Sequence, residues 1–323
     1  MLPAAATGGA PVGLARISQL ASRLASHWPS GRPFSYAPVP FSLLESVSPE
    51  LEAALQRLRH AIGQEAAVVV AYSGGVDSAL VAAIAVEQLG EGAQAITGVS
   101  PALAPHLRQE AIDQARWLGI GHRLIATAEL ADPAYFTNPA ERCYACKRAL
   151  HGLLAPIAAA AGAARVLDGV NRDDLADHRP GIRAAREHQV RSPLAEAGID
   201  KQGVRQLSRA LGLPWWDKPA NPCLASRFPY GEPITAERLR RVAAAEDWLR
   251  SQGFPELRVR SQGQTARIEL PQARLGQALQ RWADPGLRQE LVEAFRRLGF
   301  SAVGLDLEGL VSGKLNRELA GND

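Results

Sequence analysis

Ala66-Ala67-Val68-Val69-Val70-Ala71-Tyr72-Ser73-Gly74-Gly75-Val76-Asp77-Ser78 is the stretch that decides the fold. Its first seven residues are a continuous apolar run of strand length, the pattern of a strand buried on both faces. The two glycines let the backbone turn sharply, and a helical pattern runs from about Asp77 to Leu89. Such a turn aims backbone N–H groups and a helix N-terminus at one spot, which suits phosphate. Ser73 and Ser78 add hydroxyls for phosphate oxygens, and Asp77 is placed to hold a magnesium ion. This is not a Walker A loop, which ends in Gly-Lys-Ser/Thr. Glycines in strand-to-helix turns often serve only close packing, so the whole run, not Gly74-Gly75 alone, identifies a phosphate site.

Upstream, Ser48-Pro49-Glu50 reads as a helix start, with Leu51, Leu55, Leu58 and Ile62 following at helical spacing. Downstream, strands are expected at Ala95 to Val99, His122 to Ala126 and Arg165 to Gly169. Helices through Ala111 to Leu118 and Arg148 to Ala160 lie between them. That alternation indicates an α/β domain with a parallel sheet covered on both faces. After Ile182 the pattern changes. A helix near Lys201 to Leu211 leads to a loop from Pro214 to Pro233. Then follow a helix, strands at Leu257 to Arg260 and Ala266 to Leu270, a helix over Ala273 to Leu298, and a strand at Ala302 to Leu307. The expected division is a disordered extension over 1–45, an α/β domain over 46–230 and a smaller α+β domain over 231–323. The extension is rich in Ala, Ser, Gly and Pro and has no acidic residue before Glu45, so a transit peptide is the competing reading.

No stretch approaches the roughly 18 uninterrupted apolar residues that a membrane helix needs. The net charge of +3 is nearly balanced beyond the extension, which argues against a nucleic-acid groove. Only Lys147, Lys201, Lys218 and Lys314 are lysines, and the arginine excess suits phosphate and carboxylate recognition. Three cysteines cannot all pair, and no secretory signal is evident, which fits a reducing cytoplasm.

Those cysteines stand in polar motifs. Cys143 and Cys146 lie in Glu141-Arg142-Cys143-Tyr144-Ala145-Cys146-Lys147, at or just before a helix start. The spacing puts both sulfurs on one face, where the helix terminus, Arg142 and Lys147 favour thiolates. C-x-x-C alone is ambiguous among zinc, redox and iron–sulfur roles. Cys223 lies far along the chain in Asn221-Pro222-Cys223-Leu224-Ala225-Ser226-Arg227. Structural zinc normally wants four protein ligands, whereas three thiolates can hold a [4Fe–4S] cluster and leave one iron open to an extra sulfide.

The motif Ser73-Gly74-Gly75-x-Asp77-Ser78 resembles that of the PP-loop ATP pyrophosphatases, which cleave ATP between the α and β phosphates. The resemblance implies a PP-loop domain of the adenine nucleotide alpha hydrolase-like kind. Other strand ends then line the ATP site: Gly98 and Ser100 beside the adenosine, Asp173 and Asp174 at the phosphates or metal. A helix cap is the plainer reading of the two aspartates.

Further segments narrow the likeness. They are Arg142-Cys143-Tyr144-x-Cys146-Lys147, Asp168-Gly169-x-Asn171-x-Asp173-Asp174, Arg191-Ser192-Pro193-Leu194, Trp216-Asp217-Lys218-Pro219-Ala220-x-Pro222-Cys223-Leu224-Ala225-Ser226-Arg227, Arg258-Val259-Arg260 and Leu305-Asp306-Leu307-Glu308-Gly309. With these the chain resembles the LarE-type sulfur transferases over about Leu51 to Asn316. That resemblance implies adenylation of pyridinium-3,5-biscarboxylic acid mononucleotide with ATP and Mg2+, then sulfur insertion, in nickel-pincer nucleotide biosynthesis. Some members of the family sacrifice the cysteine matching Cys223, and others carry all three cysteines and resemble cluster enzymes; this chain has all three. The family also implies a homo-oligomer, a hexamer being the expected form, acting on a small nucleotide with no nucleic-acid partner. Arg258 and Arg260 alternate along a strand and so share a face for the substrate's anionic groups. Ser226 and Arg227 are expected to hold its phosphate near the sulfur. A tRNA thiolase of the PP-loop class is the nearest alternative.

Overall fold

The computed structural model describes residues 41–176, 180–311, 313, 314 and 317, so most of the extension expected over 1–45 lies outside the described residues. Helix α1, Pro49–Gly63, begins where Ser48 Oγ accepts a hydrogen bond from the Leu51 amide, and it buries Leu55, Leu58 and Ile62. Strand β1, Val68–Ala71, leads through the glycine turn into α2, Val76–Leu89. Then come β2 (Ala93–Val99), α3 (Pro105–Leu118), β3 (Gly121–Ala126), short α4 (Pro133–Phe136), α5 (Arg142–Ala160) and β4 (Arg165–Leu167). The four strands form one parallel sheet in the order β3-β2-β1-β4.

Alternation along β1 divides the core. Val68 and Val70 pack with α1 and α2, while Val69 faces the other way onto Ile96, Ile125, Leu154 and Ile157. Both faces are therefore covered, as the uninterrupted apolar run requires. Beyond β4 lie α6 (Pro180–Glu187), α7 (Pro193–Glu196) and α8 (Lys201–Ala210), and α8 adds Val204 and Leu207 to the α1–α2 side.

The second unit comprises α9 (Ala236–Ser251), β5 (Arg258–Gln262), β6 (Thr265–Glu269), α10 (Gln272–Ala283), α11 (Pro285–Arg297) and β7 (Ala302–Leu305). Its sheet runs β5-β6-β7, with β5 antiparallel and β7 parallel to β6. The single helix expected over Ala273 to Leu298 is two helices. Asp284 caps α11 through the Leu287 amide, and Pro285 lacks the N–H that a continuous helix would need. The core of this unit takes in Ala102, Leu107, Tyr135 and Ala145 from the first domain, together with Leu224, Ala225 and Phe228 from the segment joining the two. Among the described residues no helix is long and apolar enough to cross a membrane.

Candidate active site

In the sheet order, strands β1 to β3 are added toward one edge and β4 on the other side of β1, and ligands of open parallel sheets lie beyond the carboxyl ends of the strands at such a switch point. Two loops meet there. In the β1 loop, Gly74 has a φ of 68°, a left-handed conformation that glycine adopts without strain. Ser73 Oγ and Ser78 Oγ stand 3.1 Å apart, and the Gly75 amide donates to Ser73 Oγ. From the β4 side, Gly169 presses so close that an added Cβ would lie 2.7 Å from the Ser78 nitrogen. The pieces of a phosphate cradle are thus in place: loop amides, two hydroxyls and the start of a 14-residue helix.

Asp77, expected as a magnesium ligand, has both carboxylate oxygens engaged. Asn171 Nδ2 donates to one at 3.1 Å, and Lys201 Nζ is ion-paired with the other at 2.5 Å. A cation on Asp77 would have to displace Lys201. Asp173 accepts from the Lys201 amide, and Asp174 accepts from the Asn171 amide within its own turn. These bonds give both aspartates the part of backbone caps, the plainer of the two expectations. The buried Asn171, whose Oδ1 accepts from the Asp173 amide, is the residue that links this turn to Asp77. Ser100 Oγ accepts from the Ala102 amide, and Gly98 is closed over by Leu150 and Thr127 side chains, so its position has a packing reason. Asp168, at the end of β4, is buried, which raises its carboxyl above the usual range.

Cys143 and Cys146 both lie within α5, which starts at Arg142 rather than near Arg148. The thiolate-favouring environment expected from Arg142 and Lys147 is not what forms at Cys146. Burial pushes its thiol up to about 12, the neighbouring Cys223 adds to this, and Lys147 opposes it more weakly. Arg142 is turned away, donating to Asn138 Oδ1 and lying over the Tyr230 ring. None of the three cysteines is in a disulfide, and Cys143 and Cys223 are exposed. Both act electrostatically on Cys146, so the three share one neighbourhood. Beside them Tyr135 Oη and Glu129 Oε2 are buried without hydrogen-bond partners among the described residues, and Cys223 and Cys146 both bear on the Tyr135 phenol. Among those residues no three His, Cys, Asp or Glu side chains converge as the ligands of one ion would. Three soft donors beside orphaned polar atoms are a donor set that would suit iron and sulfur rather than a hard ion.

The segment carrying Cys223 is held at several points, among them the Pro222 carbonyl, which accepts from Arg227 Nη1. Lys218 Nζ donates to the Gly74 carbonyl at 2.9 Å and pairs with Glu110 at 2.6 Å, while the Leu224 amide donates to the Ala102 carbonyl. Arg205 holds the carbonyl of Lys218 from α8. Next to Cys223, Ser226 Oγ donates back to the Cys223 carbonyl.

The arginines expected to bind substrate are buried rather than displayed. Arg227 makes a two-pronged pair with the fully buried Glu246, its Nε at 2.7 Å, and so is not available as a phosphate ligand. Arg260 stands 2.9 Å from Glu269, also fully buried, and donates to the Ser226 carbonyl. Arg258 has no hydrogen-bond or ion-pair partner among the described residues. Burial first, then repulsion from Arg227 and Arg260, lowers its pKa. Arg258 is therefore the uncommitted cation of the group. Sequence reasoning missed Lys201, Lys218, Glu246, Glu269, Glu129 and Tyr135. The one signal that pointed to the first two is their rarity in an arginine-rich chain.

No protein-family model matches the chain. It is 55% identical over 269 residues to an uncharacterised protein of Synechocystis sp., covering 83% of this chain and 99% of that protein. It is 39% identical over 253 residues to the pyridinium-3,5-bisthiocarboxylic acid mononucleotide synthase of Lactiplantibacillus plantarum, covering 78% of this chain and 90% of the synthase. An uncharacterised protein of Methanocaldococcus jannaschii is 28% identical over 241 residues, 75% of this chain and 89% of its own.

Proposed function

The chain belongs to the family of the pyridinium-3,5-bisthiocarboxylic acid mononucleotide synthase, and on that premise we propose that it inserts sulfur into a pyridinium dicarboxylate mononucleotide at the expense of ATP. The observation that carries this reading is the tether between the two candidate sites. The segment bearing Cys223 is held against the phosphate loop at Gly74, so a nucleotide and a sulfur donor would share one cleft.

In this scheme a substrate carboxylate oxygen attacks the α-phosphorus of ATP and pyrophosphate leaves. The loop amides, Ser73 and Ser78 hold the departing phosphates. Magnesium, held at Asp77 once Lys201 yields, would neutralise charge on them. Sulfide then attacks the acyl carbon, and AMP leaves with the original oxygen, giving a thiocarboxylate. Arg258 receives an anionic group of the substrate, and Ser226 keeps the turn beside Cys223 in shape. Cys143, Cys146 and Cys223 would hold a [4Fe–4S] cluster, whose open iron supplies transferable sulfide when bound. The exposure of Cys223 favours a second reading, in which its own sulfur is given up and dehydroalanine remains. A homo-oligomer, with a hexamer as the form to look for, belongs to the same proposal.

Anaerobically purified protein with ATP, Mg2+ and the dicarboxylate substrate is expected to release pyrophosphate and yield thiocarboxylate detectable by mass. About four irons per chain, lost in Cys143→Ala, is the expected metal content. Iron-free protein whose Cys223 loses the mass of hydrogen sulfide would replace the cluster by the sacrificial donor. Absence of pyrophosphate release overturns the function.

A further inference from the structure

Pro219 to Cys223 is a five-residue strap, exposed throughout, whose ends are anchored on the nucleotide side of the molecule and whose Pro222 carbonyl accepts from Arg227. At one end Lys218 Nζ is bonded to the Gly74 carbonyl and paired with Glu110 of α3. At the other end the Leu224 amide is bonded to the Ala102 carbonyl, just beyond β2. An added Cβ on Gly74 would lie 3.0 Å from Ala111, so the phosphate loop, α3 and the strap meet at one point. The Lys218 ammonium is mostly buried there, its side chain 13% exposed, while Glu110 opposite is 45% exposed.

We propose that Lys218 is a positioning residue through which occupation of the phosphate loop sets the reach and reactivity of Cys223. The ammonium is shared between a neutral carbonyl and one carboxylate. A polyphosphate seated on the amides of Ser73 to Ser78 brings several anionic oxygens to the same place, and these compete with Gly74 for the ammonium. Lys218 then shifts toward the phosphates. The Leu224 anchor is fixed in the core and cannot follow. Five extended residues reach at most about 17 Å, and the carbonyls of Lys218 and Pro222 are held besides by Arg205 and Arg227. A shift that also draws on the Lys218 backbone gives up the Arg205 bond and pulls on the turn of Pro222 and Cys223. The consequence is order: the sulfur site is presented when nucleotide is bound and withdrawn when the loop is empty. This rests on the ATP reading and on the second reading above, in which Cys223 carries the sulfur itself, and adds a coupling that neither contains.

The test uses the full, reduced, metal-free chain. The rate at which iodoacetamide alkylates Cys223 is followed by peptide mass, with and without saturating Mg2+ and an ATP analogue whose α–β bridge is methylene. In the unsubstituted protein the analogue is expected to change that rate about fivefold or more, the lower end of ordinary coupling between sites. Lys218→Met is expected to bind the analogue, followed by calorimetry, yet leave the Cys223 rate unchanged by it. Lys218→Arg is expected to restore the response, and Glu110→Gln to retain it. An equal response in Lys218→Met, or none in the unsubstituted protein despite bound analogue, overturns the coupling and leaves the proposed function standing. Failure of the unsubstituted protein to bind the analogue at all overturns the ATP reading, and the coupling with it.

Discussion

Arg227 and Arg258 are both buried guanidiniums beside the Cys223 turn, but their surroundings give them opposite consequences. Glu246 is fully buried, so among the described residues Arg227→Met would leave its carboxylate with Arg250 and the Val259 amide. That change is expected to cost about 3–5 kcal/mol in urea unfolding. Arg258 compensates no carboxylate through a direct pair among the described residues, and repulsion from Arg227 and Arg260 outweighs the attraction of Glu269 and Glu246. Arg258→Met is expected to stay within about 1 kcal/mol of the unsubstituted stability while losing most affinity for the dicarboxylate nucleotide by calorimetry. A large stability loss in Arg258→Met would make it a structural residue and remove the anion site. The alternation of Arg258 and Arg260 was legible in the sequence. Their burial was not, because Glu246 and Glu269 look like ordinary helix and strand carboxylates until the fold sets them opposite arginines. The lysines show the same limit. Rarity marked Lys201 and Lys218, but no local pattern says that Lys201 reaches a carboxylate 124 residues away.

At the scale of elements, the sequence marked the strand–turn–helix of the phosphate loop well, because one apolar run and two glycines leave few alternatives. It marked boundaries less well wherever a helical pattern continued across a break. Asp284-Pro285 is a cap and first-turn signal inside a longer amphipathic run, and only the missing N–H of Pro285 divides it. The contact of Gly169 with Ser78 was beyond local reading, since it joins loops after β4 and β1. It gives a sharp expectation. A Cβ at 2.7 Å from a backbone nitrogen has nowhere to go, so Gly169→Ala must push the β4 loop off the start of α2. The expected outcome is a stability loss of about 1–3 kcal/mol. ATP affinity should fall by more than that loss alone explains, because the amides that face phosphate are displaced. Calorimetric titration at a temperature where the variant is fully folded separates the two effects, and unchanged affinity there would mean that phosphates bind away from Ser78.

At the scale of the whole molecule, the boundary expected at residue 230 cuts through a shared core. Leu224, Ala225 and Phe228 pack with Leu239, Val242, Val259 and Ile268, and the same cluster reaches Ala102, Leu107, Tyr135 and Ala145 in the first domain. Cys146 packs against this cluster, so the burial that raises its thiol is partly supplied by the second unit. A chain ending at residue 230 would expose that apolar face and lose the carboxylates of Glu246 and Glu269 that balance Arg227 and, in the full chain, Arg260. Such a chain is expected to bind a hydrophobic dye strongly, to lack a sharp melting transition, and to show Cys146 alkylated much faster than in the full protein. The full chain is expected to unfold in one step, with Trp117 and Trp215 of the first domain and Trp248 and Trp282 of the second reporting the same midpoint. Two separate midpoints, or a truncated chain that melts cooperatively with Cys146 still protected, would show that each unit closes its own core. The cysteine site would then belong to the first domain alone, and the second unit would act only as a lid for substrate.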